Sequence, residues 1–380
     1  MKKLVPFLIL GLVIRLGLMA WTIHSDIRGH NFAAYLIAQK GEIFSFYDHL
    51  RLLPRSDPLV RLYHDDLFIY PPLAYLTHAL FNKVLYPFYP QNLFNLLILD
   101  IGQTAHNPQL PWLLILLKLP YLVADVFCLL IIRKILEPKF QYLGSLLWIF
   151  NPVTIYASYM LAQFDIFIAL FLLLALSSMK LSPVFIGLAA GFKPFPLFFL
   201  PFLPGNKLKN VLMGLLTYLV LLSPYLGSIG FRQYALLASQ SDKITYAKIM
   251  VSATQYIPLF FVGVVAFFWW NYYKEKSLPA WSWPMSVLLL FYSFSHFHPQ
   301  WFVWLTPWLI YQTLSGKIYL YWAAILAWLT ILLSFDFSLH LASFWWLGLV
   351  PNQYLFSGNL LFSNLVLLAR AFLIPVSFLL

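Results

Sequence analysis

Pro111–Arg133 reads PWLLILLKLPYLVADVFCLLIIR, a run in which only Lys118, Asp125 and the closing Arg133 carry charge. A hydrocarbon core about 30 Å thick needs about 20 mostly apolar residues in helical form to cross it, and this stretch supplies them. The rest of the chain is built the same way. Hydrophobic residues make up 62% of 380 and charged residues 10%, with a mean hydropathy of +0.79, whereas soluble domains hold about 45–50% and about 25%. The expectation is an all-α, polytopic integral membrane protein with about 10–12 membrane helices, some of them re-entrant.

Outward from that stretch, apolar segments of spanning length alternate with short basic punctuation. Helices are expected near 4–23, 111–133, 140–158, 160–179, a broken pair within 182–204, then 208–229, 254–273, 281–297, 300–315, 318–337 and 358–380. The first, MKKLVPFLILGLVIRLGLMAWTIH, is too long and lacks the small-residue cleavage site of a signal peptide, so it is read as a retained membrane helix. With the N-terminus inside, the cytoplasmic ends collect Lys2, Lys3, Arg133, Lys134, Lys139, Lys180, Lys207, Lys209, Lys274, Lys276 and Lys317 against Glu137 and Glu275, as the positive-inside rule asks. Lys180 and Lys207 share a side only if 182–204 crosses half-way and returns, which Pro194 and Pro196 favour. The net charge of +11 comes from basic residues scattered singly or in pairs, so lipid is the expected partner and nucleic acid is not. A single cysteine, Cys128, allows no disulfide framework.

The exception to short loops runs from His24 to about Leu110 on the outer side. It holds seven of the thirteen acids: Asp26, Glu42, Asp48, Asp57, Asp65, Asp66 and Asp100. Within it NFAAYLIAQKG, Asn31–Gly41, and YPPLAYLTHALFNKVLYPFYP, Tyr70–Pro90, read as helices lying at the outer interface with tyrosines at headgroup level.

Several stretches occur in a distinctive order: HSDIRGHNFAAYL after the first helix, YPPLAY after a long outer loop, LKLPYLVADV in the second span, then NPVTIYASYMLAQFD, GFKPFP and FSHFHPQWFVWLTP. In this order they resemble the type C (GT-C) glycosyltransferases, multispanning enzymes that use polyprenyl-phosphate sugars. The nearest likenesses are the glycosylphosphatidylinositol first mannosyltransferase, the glucosyltransferases of N-glycan precursor assembly and bacterial relatives. The resemblance covers about residues 1–310, which it implies form a catalytic membrane module; 311–380 add C-terminal membrane helices, with no separate soluble domain. The chain departs from the family at Ile69, where an acid often precedes YPP, and at AQFD, where GQFD is common.

Transfer of a sugar from a lipid phosphate to a hydroxyl needs a base at the nucleophile and cationic or hydrogen-bonding groups at the leaving phosphate. A carboxylate at the membrane edge, Asp26, fits the first need, although the same residue can serve as an interfacial helix cap. Asp66 is the acceptor-side candidate from the acidic pair that it forms with Asp65. Pro299 biases His298 out of helical geometry, at the break between two helices where a lipid phosphate would sit. His296, still inside the helix expected over 281–297, is the weaker of the two, and the resemblance to a VHEK-like position also favours His298. Histidines two apart point to opposite faces of a helix, and no HExxH, DxD or cysteine cluster accompanies them, so no metal site and no cofactor is expected.

Lys193, in the GFKPFP break, can meet the donor phosphate or snorkel to an interface. Lys118 is a further donor candidate, while Asp125, seven residues on along one helical face, is read as bundle cohesion with a partner on another helix; Arg15 and Arg370 are read as structural. Gln163, Asp165 and Gln300 are candidates for contacting sugar or acceptor, with helix capping open for Gln163 and Asp165. Arg232 is a phosphate candidate in a loop of a kind that is commonly basic.

Together with the resemblance, these residues lead to an expected function. An inverting membrane glycosyltransferase would move a hexose, with mannose the leading choice, from a polyprenyl-phosphate donor to a lipid-linked or glycan acceptor on the outer or lumenal face, with Asp26 as base. The alternative is a flippase or transporter of a lipid-linked saccharide, which calls for an inverted repeat and midplane substrate ions. Neither is visible in the sequence.

Overall fold

The computed structural model describes residues 2–64, 67–237, 239–273, 282–313, 318–333 and 360–378. Apolar segments with helical spacing fold as helix: 77% helix against 2% strand, which bears out the helical class. In chain order the helices that matter here are α1 (Val5–Trp21), α2 (Asp26–Gln39), α3 (Pro72–Leu85), α4 (Leu110–Ile135), α5 (Gln141–Ile149), α6 (Asp165–Ser177), α7 (Ser182–Ala190), α8 (Lys207–Leu222), α9 (Leu259–Tyr273), α10 (Ser282–Phe294), α11 (Thr306–Thr313), α12 (Ile318–Leu332) and α13 (Leu360–Phe378). Among the described residues three helices, Lys2–Trp21, α4 and Lys207–Tyr225, are long and apolar enough to cross a membrane. Lys274, Glu275, Lys276 and Lys317, used above to orient the chain, lie outside the described residues.

Several expected spans are interrupted, each for a local reason. The segment read as one helix over 140–158 stops at Asn151, because Pro152 has no N–H and biases its predecessor to extended geometry. Asn151 sits at φ −68°, ψ 118° and its side chain accepts from the Thr154 amide at 2.9 Å. The chain then widens into a π-turn over Tyr156–Met160, and α6 begins only at Asp165. The stretch expected to start a helix at 254 instead opens with a two-stranded hairpin, β1 (Lys248–Met250) against β2 (Tyr256–Pro258), so a small element of sheet enters a chain expected to be all-α. The break within 182–204 is present: α7 ends at Ala190, and a 3-10 helix resumes at Phe195–Phe202 beyond Pro194.

In the segment 24–110, α2 begins at Asp26, earlier than the expected 31, and packs along α3. Ile27, His30, Asn31, Phe32, Ala33, Ala34, Leu36 and Ile37 are all buried, so α2 is enclosed by protein on most of its surface. The entry to α3 is tied inward, the Leu73 amide donating to the Gly191 carbonyl at 3.1 Å. Helices α7 and α8 cross closely at Gly187, where a Cβ would meet the Gly214 carbonyl at 2.6 Å, the small-residue contact by which apolar helices approach one another.

The contact between α1 and α4 shows why ions occupy apolar helices. Residues 15, 19 and 22 follow a helical face of α1, and α4 answers them in antiparallel order. Lys118 Nζ donates to the Met19 carbonyl at 3.1 Å and the Thr22 carbonyl at 2.6 Å, while Arg15 Nε donates to Asp125 Oδ2 at 2.6 Å. Arg15 also reaches the Ile149 carbonyl at 2.8 Å, and Asp125 accepts from Trp148 Nε1 at 2.6 Å and from the Tyr159 hydroxyl at 2.5 Å. One carboxylate thus gathers α1, α4, α5 and the π-turn. Removing one partner of a buried ion pair leaves an uncompensated charge and costs about 3–5 kcal/mol. Asp125→Ala is therefore expected to lower the thermal unfolding temperature of the detergent-solubilised protein sharply, and the double variant Arg15→Met/Asp125→Leu to recover most of that loss.

Candidate functional site

Asp26 occupies the first turn of α2, where the unpaired amides of a helix start favour a carboxylate. Its side chain is 40% exposed, with Oδ1 3.6 Å from His24 Nδ1. Gln163 Nε2 donates to its other oxygen. Gln163 can reach it because the π-turn does not run straight into α6. Ala162 takes φ 57°, in the left-handed region that L-residues avoid, and so redirects the chain just before Gln163. Asp26 lines a cavity of about 380 Å³ with Arg28, His30, Tyr63, His64, Ile69 and Tyr70.

Two residues past Gln163, Asp165 is fully buried, and its Oδ1 accepts from Lys193 Nζ at 2.6 Å and from Trp304 Nε1 at 3.0 Å. Lys193 is presented by the turn after α7 and lies among ring faces, 4.8 Å from Phe164, 4.9 Å from Trp301, 5.5 Å from Tyr70 and 5.6 Å from Trp304. It lines a second cavity, of about 310 Å³, with Tyr70, Phe198, Lys243, Phe261 and Trp301. Among the described residues that wall carries two ammonium groups, Lys193 being paired with Asp165 behind it, and the remainder is apolar or aromatic. Such a wall suits an anion carrying a hydrocarbon tail.

His298 joins this second cavity through Lys243, whose Nζ lies 2.6 Å from His298 Nε2. The helix before it ends at Phe294, earlier than expected, and His298 is extended at ψ 141° ahead of Pro299, as a pre-proline residue should be. His296 therefore also lies beyond the helix; its amide donates to the Lys243 carbonyl at 2.9 Å and its ring lies 5.4 Å from Tyr246. Burial, then Lys243 and Arg370, hold the His296 pKa below the usual imidazole value. Trp301 and Trp304 stack with ring centroids 5.6 Å apart, flooring the cavity beneath the two lysines.

Other sequence candidates are placed elsewhere. Lys118 holds carbonyls at the C-terminal end of α1 and is on the wall of neither cavity, because the last carbonyls of a helix need donors. Arg232 is exposed and closes its own loop onto the Leu226 carbonyl at 2.6 Å and the Gly227 carbonyl at 3.2 Å. Gln300 is buried, its Oε1 without a hydrogen-bond partner among the described residues, and it too lines neither cavity. Asp66, with Asp65, lies outside the described residues. Among the described residues no three His, Cys, Asp or Glu side chains converge as a metal site.

Sequence reading missed Lys243 and His30. Lys243 lies in the polar run QSDKITYAK, where a lysine carries no signal of its own, and His30 lies on a helix whose inner face became definable only once α3 was packed against it. Tyr70 was inside a motif already noted; its place between the two cavities was not visible. No protein-family model, no curated protein and no solved structure matches this chain.

Burial, and then the neighbouring Lys193, bring the Lys243 pKa down to about 8. A lysine is charged below its pKa, so the ammonium facing the second cavity is lost as pH rises through that value. An anion held by this ammonium, with farnesyl phosphate as the probe, is accordingly expected to bind roughly tenfold more weakly at about pH 9.5 than at about pH 7, and nearly equally at both in Lys243→Arg. Isothermal titration in detergent measures both.

Proposed function

We propose that the protein is a polytopic membrane glycosyltransferase of the GT-C type, transferring a hexose from a polyprenyl-phosphate donor to an acceptor hydroxyl at the outer membrane face. The observation that carries this reading is the placing of two chemically opposite cavities back to back. Ile69 and Tyr70 belong to the walls of both, with the Asp26 carboxylate in one and Lys193 and Lys243 in the other. An in-line displacement needs a base and an anion site within reach of one sugar carbon, and the shared lining at Ile69 and Tyr70 brings the two cavities next to each other.

In this reading the donor phosphate lies against Lys193 and Lys243 over the Trp301 face, and its hydrocarbon chain follows Phe198, Ile244 and Phe261. The acceptor enters the Asp26 cavity. Asp26 takes the proton of the acceptor hydroxyl as that oxygen bonds to the anomeric carbon, and the bond from that carbon to the phosphate oxygen breaks on the opposite side, inverting the centre. The leaving phosphate keeps the electron pair, and the ammonium groups stabilise its charge. Gln163, bonded to Asp26, aims the carboxylate. Asp165 orders Lys193 and has no direct part in the reaction. The hydropathy pattern supports a topology in which the three long helices and the shorter apolar ones jointly span the bilayer.

The test is transfer from a panel of polyprenyl-phosphate hexoses by the purified protein. Asp26→Asn keeps the shape of the side chain and removes its basicity, so turnover is expected to fall about 10²-fold or more with folding unchanged; near-normal turnover would remove Asp26 from the chemistry. His298→Ala, which removes the imidazole 2.6 Å from Lys243 Nζ, is expected to raise the donor KM about 10- to 100-fold. His296→Ala should do less, and steady-state kinetics with the donor varied separates the two.

A further inference from the structure

Neither β1 nor β2 lines either of the two cavities. Their register pairs Lys248 with Pro258, Ile249 with Ile257 and Met250 with Tyr256. Successive residues of a strand point to opposite faces, so the hairpin has two unlike sides. One side carries Ile249, Ile257 and, just past β1, Val251, which are 55%, 43% and 62% exposed. The other carries Met250, Tyr256 and Lys248, whose Nζ lies 4.6 Å from the centre of the Tyr256 ring. A lone two-stranded hairpin is marginally stable at best in water, and a side made of exposed branched aliphatics adds a hydration cost that burial would remove.

The backbone sets a second condition. The Leu259 amide donates to the Ala247 carbonyl at 3.0 Å and the Val251 amide to the Gln255 carbonyl at 2.9 Å. By the alternation of an antiparallel ladder, the amides of Lys248, Met250 and Tyr256 then point away from it. Among the described residues those three amides have no hydrogen-bond partner. Open strand edges do not occur in hydrocarbon, so water must reach them. A further strand could pair them instead, but lysine and proline share the rung Lys248–Pro258, and these are the residues by which natural edges resist strand addition. An apolar side and a hydrated backbone are satisfied together at the boundary between lipid headgroups and acyl chains. The neighbouring chain agrees. Pro258 runs directly into α9, an apolar helix with Val262, Val265 and Trp269 exposed along one stripe, and the Ala247 amide is tied to the Phe294 carbonyl at the end of α10 at 2.9 Å. We propose that the hairpin lies flat in the membrane interface, with Ile249, Val251 and Ile257 against the acyl chains and Lys248 and Tyr256 toward the headgroups. Lys243 and Ile244, shortly before β1, line the second cavity, so the hairpin holds the rim of that cavity at headgroup depth. This rests on the membrane class of the protein and is independent of the transferase reading.

The experiment puts a nitroxide on single cysteines in the full-length Cys128→Ser protein, held in phosphatidylcholine nanodiscs. It compares collisions with oxygen, which concentrates among acyl chains, and with a neutral nickel chelate, which stays in water. Val251→Cys and Ile257→Cys are expected to meet oxygen more often than nickel, as does Val265→Cys on the exposed stripe of α9. Lys248→Cys is expected to meet nickel more often, as does the exposed Glu137→Cys. If Cys128→Ser does not fold, the cysteines are introduced with Cys128 in place, because it is buried away from the label. Free nickel access at all three hairpin sites leaves the hairpin in water and overturns the proposal. An excess of oxygen at all three puts it in hydrocarbon and overturns the flat placement. Immobilised labels shielded from both reagents mean a protein cover, from a second copy or another part of this chain, and overturn it as well. Nickel access at Val265→Cys too would remove the membrane class along with the inference.

Discussion

The buried pair between Lys193 and Asp165 is the constraint on which the rest of the site depends. An ammonium and a carboxylate withdrawn from water are tolerable only when they meet each other with good geometry and further hydrogen bonds. Here they meet at 2.6 Å, with Trp304 Nε1 adding a bond at 3.0 Å. The requirement fixes three separate pieces of chain: the first residue of α6, the turn after α7, and the 3-10 segment Pro299–Trp304. Once these are held together, Phe164 and Tyr70 are pressed against the lysine, and the partition between the two cavities follows from where those rings lie. The Arg15–Asp125 network does for the α1–α4 contact what this pair does for the site, at a place away from both cavities.

How much of this was legible in the sequence depends on the physics involved. Hydropathy over a full span is a sum of many like terms, so α1 and α4 were placed within two residues of their observed ends. Breaks written by proline were legible too: the turn that carries Lys193 and the extended His298 follow from Pro194 and Pro299. The π-turn was not, since nothing in IYASYML distinguishes five residues per hydrogen-bonded loop from four.

Rotation about a helix axis was equally invisible. Lys118 has the residue type of a phosphate ligand, but its side of α4 faces the end of α1. Its spacing from Asp125 implied a shared face and could not say which neighbour that face meets. Asp26 was legible as a carboxylate at a helix exit, while Gln163, its partner 137 residues away, needed the folded chain to bring them together. Lys243 and His30 belong to the same class: residues of ordinary sequence context made notable by packing.

Ala162 carries a consequence of its own. Alanine prefers the right-handed helix more than any other residue, and holding it in the left-handed region costs roughly 1–2 kcal/mol; it is nevertheless fully buried at φ 57°. The cost is offset by the packing around Gln163 and Asp165, which are fully buried. A glycine there would be at ease in either geometry and would let the segment swing. With alanine the turn is costly on its own, so the place of Gln163 beside Asp26 depends on the packing that holds Ala162 there.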